Sequence, residues 1–400
     1  MTPWEAIRAA FLLVALTPFA YYAAAIIAAR KFFSRRPASE NSIDVGDFAP
    51  PISILKPIFG LDRETYENYA SFCRQDYPHY EILFCVSHEQ DPAVPVIRKI
   101  IQDFPQRSIR LLVGSEPLGA SDKVNKLCRM VREARHEIVV VTDSDVRVEA
   151  GFLRAIAEPF RDAEVGGVTC LYRGLAGGCF AASLEAIGNS TDFAAGVLVN
   201  WLGGKIDFML GAVMATTKKN LAEIGGFESL VDYFCDDFEL GNRIASKGRR
   251  VELSAFPVNI VYPRETLADA FRHQVRWNLS IRYSRPLGHL GLIFTQGLPW
   301  TILAAAIAPT TTLGLAYLAA YLVLRSEMAR TVGVWGMQDR ALRARFSLLP
   351  VRDAFAFAVW LASFFPQRIH WRGREFYVRN RRLVPALGRG QSPETAGHLR

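Results

Sequence analysis

Two aspartates one residue apart, Asp143 and Asp145, close the segment VVVTDSDVRV. The valines drive a strand into a core, so the carboxylates emerge at its tip. Hard oxygen donors placed there could hold a divalent cation whose remaining positions a diphosphate completes. The same residues also suit a polar turn or a helix start. A second acidic pair, Asp236 and Asp237, opens the amphipathic stretch DDFELGNRIASKG. A helix dipole favours one carboxylate at that position. Two adjacent carboxylates repel, a cost that makes sense if one is a general base whose pKa the other tunes, with Asp232 near enough to reinforce it.

Three further groups have chemistry to offer. Asp91, in CVSHEQDPAV, follows a strand end and could accept hydrogen bonds from a ribose or a base, although an acid before proline is also turn chemistry. GASDKVNKL carries Lys123, Asn125 and Lys126 after a glycine-containing loop, suited to a phosphate or a base edge, or simply to a solvated helix start. FRHQVRWNLSIRYSRP places Gln274, Arg276 and Trp277 within four residues. Arginine suits bidentate phosphate contact and tryptophan stacks on a sugar or lipid face, while a juxtamembrane segment uses both residue types too.

These groups need a frame, and the chain between Pro50 and Tyr283 supplies one. Ile52–Leu55, Glu81–Val86, Ile109–Gly114 and the run ending at Asp145 read as strands, alternating with helical patterns at Tyr66–Cys73, Pro95–Asp103, Lys123–Glu133 and Phe152–Phe160. The alternation predicts an α/β domain with a mostly parallel sheet and helices on both faces. Ligands bind beyond the carboxyl ends of such strands, where every acidic group above falls. No internal repeat is evident, and Pro37–Pro51 reads as a short polar spacer.

Lys and Arg outnumber Asp and Glu by 47 to 39 in 400 residues, and half the residues are hydrophobic. That balance excludes a disordered chain and points to a membrane. Residues 325–400 hold 14 Arg, no Lys and five acids, so the excess charge belongs to the tail and residues 1–324 sum to −1. A nucleic-acid partner is therefore not expected. The 21 uncharged residues from Ala9 to Ala29 can cross a hydrocarbon core, and Arg30, Lys31, Arg35 and Arg36 place their C-terminal side in the cytosol. Gly288–Leu324, interrupted at Pro309, reads as a membrane hairpin flanked by Arg282, Arg285, Arg325 and Arg330. The shorter run Val351–Phe365, containing Arg352 and Asp353, is expected to be interfacial or re-entrant, with the arginine-rich tail against an anionic cytosolic leaflet. The six cysteines lie between anchor and hairpin without a CxxC pair, so neither disulfides nor a zinc site is expected. The resulting division is an anchor over 1–36, a catalytic domain over 37–286, a hairpin over 287–325 and a basic region over 326–400 with its helix near 351–366.

Taken in order, Asp91, Asp143–Asp145, Asp237 and Gln274-Val275-Arg276-Trp277 resemble the D, D, D, (Q/R)xxRW signature of membrane-bound family 2-type glycosyltransferases of GT-A fold. KPIFG at Lys56–Gly60, SFCRQDYPHYEILFCV, DPAV and the K-x-N of Lys123 and Asn125 are similar to the ceramide glucosyltransferase family and the bacterial hopanoid-associated glycosyltransferases. The resemblance covers residues 9–325. It implies that Asp91, Lys123, Asn125 and Asp143 bind the nucleotide-sugar together with Gln274, Arg276 and Trp277. It further implies that Asp143 and Asp145 hold Mg2+ or Mn2+, and that Asp237, or its neighbour Asp236, is the catalytic base. The implied reaction moves a sugar, glucose first, from a UDP-sugar to a membrane lipid hydroxyl at the bilayer surface. A hopanoid N-acetylglucosaminyl transfer, a polysaccharide synthase and an inactive tethered binding protein are the alternatives. Ala- and Arg-rich usage favours a bacterial inner membrane, with the catalytic domain cytosolic.

Overall fold

Short runs of β-branched and aromatic residues build the central sheet. Its strands are β1 (Ile52–Pro57), β2 (Tyr80–Val86), β3 (Ser108–Val113), β4 (Ile138–Thr142), β5 (Val146–Arg147), β6 (Val165–Leu175), β7 (Val213–Thr217) and β8 (Arg250–Val261). The computed structural model describes residues 2–35, 48–204, 206–365, 368–371 and 374–385; most of the 37–51 spacer and the end of the basic tail lie outside them. Every residue of β1, β2 and β4 is buried, as strands covered on both faces must be. The order is β3-β2-β1-β4-β7-β6-β8-β5. Strands β1 to β4 are parallel neighbours, and β6 and β8 run parallel. Five-residue β7 runs against both β4 and β6. The α/β class and mostly parallel sheet hold as expected. The reversal at β7 carries no signal in VMATT, because a buried strand reads the same in either direction. Parallel pairing sets the carboxyl ends of β1, β2 and β4 side by side, so the residues after Pro57, Val86 and Thr142 share one edge.

The N-terminal run forms two helical segments, Pro3–Val14 and Thr17–Phe33. Together they are long and apolar enough to cross a membrane, beginning earlier than the uncharged run alone indicates. No residue of the first segment is fully buried, although Leu12 packs against the core, whereas Tyr22, Ala25, Ala28, Ala29, Phe32 and Phe33 of the second are buried. Tyr317 binds across to the Leu12 carbonyl at 2.7 Å. In the region expected to form a membrane hairpin, Gly297–Ile307 packs against Thr311–Met328, the second of which is not apolar enough to qualify as a span. The first arm has 11 residues and passes as a span only together with Pro286–Thr295, from which it is bent by 51°. The tighter 3-10 turn Leu292–Thr295 and the non-helical Gln296 (ψ 87°) interrupt the helix there, so the first arm is buckled rather than straight.

Where an interfacial or re-entrant helix is expected, the chain forms the helix Leu349–Ala362, which buries Leu349, Arg352, Asp353 and Val359. Arg325, read above as a cytosolic flank, has only 2% of its side chain exposed. It donates to both carboxylate oxygens of Asp353 (2.8–3.1 Å) and to Asp192 at 2.7 Å. Arg352 donates to the other Asp192 oxygen at 3.0 Å, and Tyr321 to Asp353 at 2.8 Å. The sequence reads Arg325 as a flank and Arg352 and Asp353 as part of an interfacial or re-entrant run. Arg325 and Arg352 instead pair with Asp192 and Asp353 within the protein. Breaking such a set strands a buried charge. Arg325→Ala is expected to cost about 3–5 kcal/mol, read as a lowered denaturation midpoint in detergent. Arg330→Ala, which removes an exposed pair with Glu327, is expected to leave that midpoint essentially unchanged.

Candidate active site

The end of β4 is fixed from below. Lys56, fully buried at the end of β1, donates to Thr142 Oγ1 at 2.9 Å and to the Asp143 carbonyl at 2.8 Å. Burial pulls its ammonium down to about 7, opposed by the charges of Asp145, Asp143 and Asp62. Above it, the Lys123 ammonium lies 3.0 Å from Asp143 Oδ1 and 3.3 Å from Asp236 Oδ2. Burial would lower the Lys123 pKa, but Asp143, Asp236 and Asp237 outweigh it and hold the ammonium charged. Lys123 occupies the first turn of the helix Asp122–Glu133, capped where Ser121 accepts from the Val124 amide. One cation thus joins the strand-end acid to the acid pair of another helix.

That second helix, Asp236–Ser246, carries Asp236, Asp237 and Glu239 in its first turn, where the dipole favours anions. It lies directly on the backbone of Phe208 and Met209, because a side chain at Gly241 would come within 2.3–2.6 Å of those atoms. Gly211 plays the matching part in front. A methyl there would sit 3.0 Å from Asp237 Oδ2 and 3.8 Å from Asp143 Oδ2. The two carboxylates therefore face one small space. Burial, then the neighbouring Asp236 charge, pushes Asp237 up to about 6. Burial and Asp143 push Asp145 up to about 7. Tyr172, deeply buried beside Asp237, Asp143 and Asp145, is raised well above its usual range by that burial and by those charges.

The remaining sequence-derived residues surround this space in different ways. Asp91 is buried and receives the Gly60 amide on both oxygens (3.1 and 3.2 Å) and the Ala93 amide at 2.9 Å. It clamps the loop that follows Lys56. Asn125 exchanges hydrogen bonds with the Gly119 amide (3.0 Å) and carbonyl (2.9 Å), closing the glycine loop on itself. Gln274 is buried and donates to Glu185 at 2.8 Å, with His273 on the same oxygen at 2.8 Å. Trp277 meets His273 and Tyr172 edge-on, at 4.9 and 6.1 Å between ring centres. Arg276, half-buried, is on the same helix, Leu267–Ser284. The acids and Lys123 are thus in direct register, and Trp277 reaches them through Tyr172. Asp91, Asn125 and Gln274 hold the loops and helix that frame the space.

Sequence reading missed Glu185, Glu265, His273 and Tyr172. Glu265 is pushed up to about 9 by burial and by the adjoining Glu185 carboxylate, so this pair holds one proton between them. Only the polar interruption SLEAIGNSTDF in an otherwise apolar stretch hinted at a buried polar cluster. Tyr172 gave no sign, since a tyrosine inside a strand is ordinary core.

Among the described residues no cluster of three or more His, Cys, Asp or Glu side chains could enclose a metal. Asp143 and Asp145 nevertheless fit one. They are hard oxygen donors at a strand end, and burial together with the Asp143 charge raises the Asp145 pKa, a cost that a bound cation would relieve. A site with few protein ligands, completed by phosphate oxygens and water, is the usual habit of Mg2+.

The family model for glycosyl transferase family 21 matches residues 10–384. The chain is 30% identical over 230 residues to ceramide glucosyltransferase 1 of Caenorhabditis elegans, covering 57% of this chain and 49% of that protein. Against a ceramide glucosyltransferase of Gibberella zeae it is 32% identical over 151 residues, 35% of this chain and 29% of that one. The chain spans about half the length of these curated relatives, or less. Among solved structures it is similar to the mannosyltransferase PcManGT from Pyrobaculum calidifontis in complex with GDP-Man and Mn2+, with a TM-score of 0.49, 18% identity and coverage of 89% and 99% of the two chains.

Gly211→Ala places a methyl 3.0 Å from Asp237 Oδ2, so that carboxylate must shift by a few tenths of an ångström. Turnover is expected to fall at least about tenfold with the melting temperature nearly unchanged. Wild-type turnover in this variant would show that the two acids do not work across that space.

Proposed function

The chain belongs to glycosyl transferase family 21, and we propose that it transfers a sugar, glucose, from UDP to the hydroxyl of a ceramide-like lipid with inversion at the anomeric carbon. The scaffold in this reading is GT-A. The observation that carries it is the facing of Asp237 and Asp143 across Gly211, with Lys123 bound to both acid groups. An acid raised to about 6 is charged at neutral pH yet remains a competent proton acceptor.

Asp237 accepts the proton of the lipid hydroxyl as that oxygen bonds to the anomeric carbon. The bond from that carbon to the diphosphate oxygen breaks in the same displacement, and UDP leaves with the electron pair. Lys123, anchored between the two acid groups, and Arg276 offer positive charge to the diphosphate. A divalent cation held by Asp143 and Asp145, Mg2+ or Mn2+, would offset charge on the departing UDP. Asp91, Asn125 and Gln274 keep the surrounding loops and helix in place, and Trp277 gives the acceptor an aromatic wall beside Tyr172.

The acceptor approaches from the bilayer. The Leu267–Ser284 helix that carries Trp277 runs into Pro286, where the buckled apolar segment begins. In this reading the Pro3–Phe33 helix anchors the catalytic domain on the cytosolic side of a bacterial inner membrane.

Two measurements test the base. Asp237→Asn is expected to abolish transfer from UDP-glucose to ceramide in detergent micelles while UDP-glucose still binds; retained turnover would remove Asp237 from this role. In the wild type the rate is expected to fall tenfold per pH unit below the Asp237 pKa of about 6 and to level off above it. Bound metal lowers that pKa by favouring the charged carboxylate, so the acid limb is expected at or below pH 6. A bell centred on the acid side would contradict a carboxylate base.

A further inference from the structure

The arginine-rich tail does not stop at the membrane. Residues of β9 (Ile369–Trp371), β10 (Arg374–Arg379) and β11 (Arg382–Pro385) form a small antiparallel sheet. Its last strand pairs with the loop that leads into the acid pair. The Leu383 amide donates to the Asp232 carbonyl at 2.7 Å, the Phe234 amide donates to the Arg381 carbonyl at 2.9 Å, and Tyr233 and Arg382 form a bridge between them. On its other side the same loop holds the Lys123 region. The Asp232 carboxylate receives the Ala120 amide at 2.9 Å, and the Val231 carbonyl receives the Ser121 amide at 2.8 Å. The loop before Asp236 is thus gripped between the segment that presents Lys123 and the end of the chain.

The turn that makes this grip is unusual. Arg379 pairs with Arg382, so Asn380 and Arg381 form a two-residue hairpin turn, with φ of 49° and 65°. Both values lie in the left-handed region. Asparagine tolerates that conformation, but the second position of such turns strongly favours glycine, and an arginine there is strained. Strain of this kind persists where the surroundings impose it and the side chain has work to do. The Arg381 guanidinium has such work. It lies 3.4 Å from Glu239, whose side chain is 9% exposed, and 5.8 Å from the centre of the Phe238 ring. Arg285 covers the same ring at 5.6 Å. Arg381 therefore holds the chain at two points, residue 234 by its carbonyl and residue 239 by its side chain. Asp236 and Asp237 lie between them.

We propose that Arg381, carried by the C-terminal hairpin, is a positioning residue for the catalytic acid pair, fixing the first turn of the Asp236–Ser246 helix so that Asp237 faces the reacting centre. The proposal rests on Asp237 acting as the base. The glycine that the turn would otherwise prefer separates function from folding. Arg381→Gly relaxes the turn and leaves the backbone bonds to the 232–234 loop available, but removes the guanidinium from Glu239 and Phe238. Arg381→Lys keeps a charge in the same strained turn.

With the full chain in detergent micelles, UDP-glucose as donor and ceramide as acceptor, Arg381→Gly is expected to melt at or above the wild-type temperature. Its kcat is expected to drop about tenfold, as a small misplacement of the base would cause, with the KM for UDP-glucose within about twofold. Arg381→Lys is expected to recover most of the lost kcat at an unchanged KM. Wild-type kcat in Arg381→Gly would overturn the proposal, as would a raised donor KM at unchanged kcat, which marks a donor contact. A Lys variant as impaired as the Gly variant would overturn it as well. If Asp237→Asn itself retains turnover, the reading of the base has failed; if that variant is inactive while Arg381→Gly is normal, only the role of Arg381 has failed.

Discussion

A single buried ammonium organises the acidic cluster at the carboxyl edge of the sheet. Lys123 touches Asp143 at the end of β4 and Asp236 at the start of a helix nearly one hundred residues later in the chain. At Asp237, burial and the Asp236 charge favour the protonated form and the Lys123 charge opposes them, because like charges held out of water drive a carboxylate toward protonation and a nearby cation resists it. The converse holds for the lysine. Burial alone would favour its neutral form, and the surrounding carboxylates reverse that preference. Cation and anions therefore fix one another's positions.

The scaffold exists to bring these charges together at the sheet's carboxyl edge. Parallel pairing of β1, β2 and β4 delivers Lys56, Asp91 and Asp143 to that edge, and β7 running in the opposite sense returns the chain so that Gly211 arrives beside them. Two glycines then set the depth of the site. Gly241 lets the Asp236–Ser246 helix rest on the Phe208–Met209 backbone, and Gly211 leaves room for two carboxylates to face each other. The residues framing this centre are mostly engaged with backbone rather than aimed at a ligand. Asp91 clamps a loop, Asn125 closes another, and Gln274 secures a helix against Glu185.

The excess positive charge of the chain has three fates in the structure. Arg325 and Arg352 are consumed in a buried network with Asp192 and Asp353 that joins the apolar helices to the domain. Arg381 and Arg382 reach the loop ahead of the acid pair, over Phe238 and Tyr233 respectively. Others, such as Arg330 and Arg368, stay exposed in pairs with acids. Net charge by itself gave the tail one role, at an anionic surface. Pairing gives its members separate ones.

The sequence by itself determined the class of the fold, the early strands and helices to within a few residues, and the identities of the acids and Lys123. These are legible because they depend on local properties: periodicity of apolar residues, the tip of a buried strand, the dipole at a helix start. The apolar N-terminal run was legible for the same reason. Only the tertiary structure decided which charges meet. That Lys123 bridges two acid groups, that Arg325 is buried, that Glu185 receives Gln274, and that a hairpin beyond residue 368 grips the loop before Asp236 all involve partners tens to hundreds of residues apart. Their energy comes from burial and paired charge, and both are properties of a position in space that no local pattern encodes.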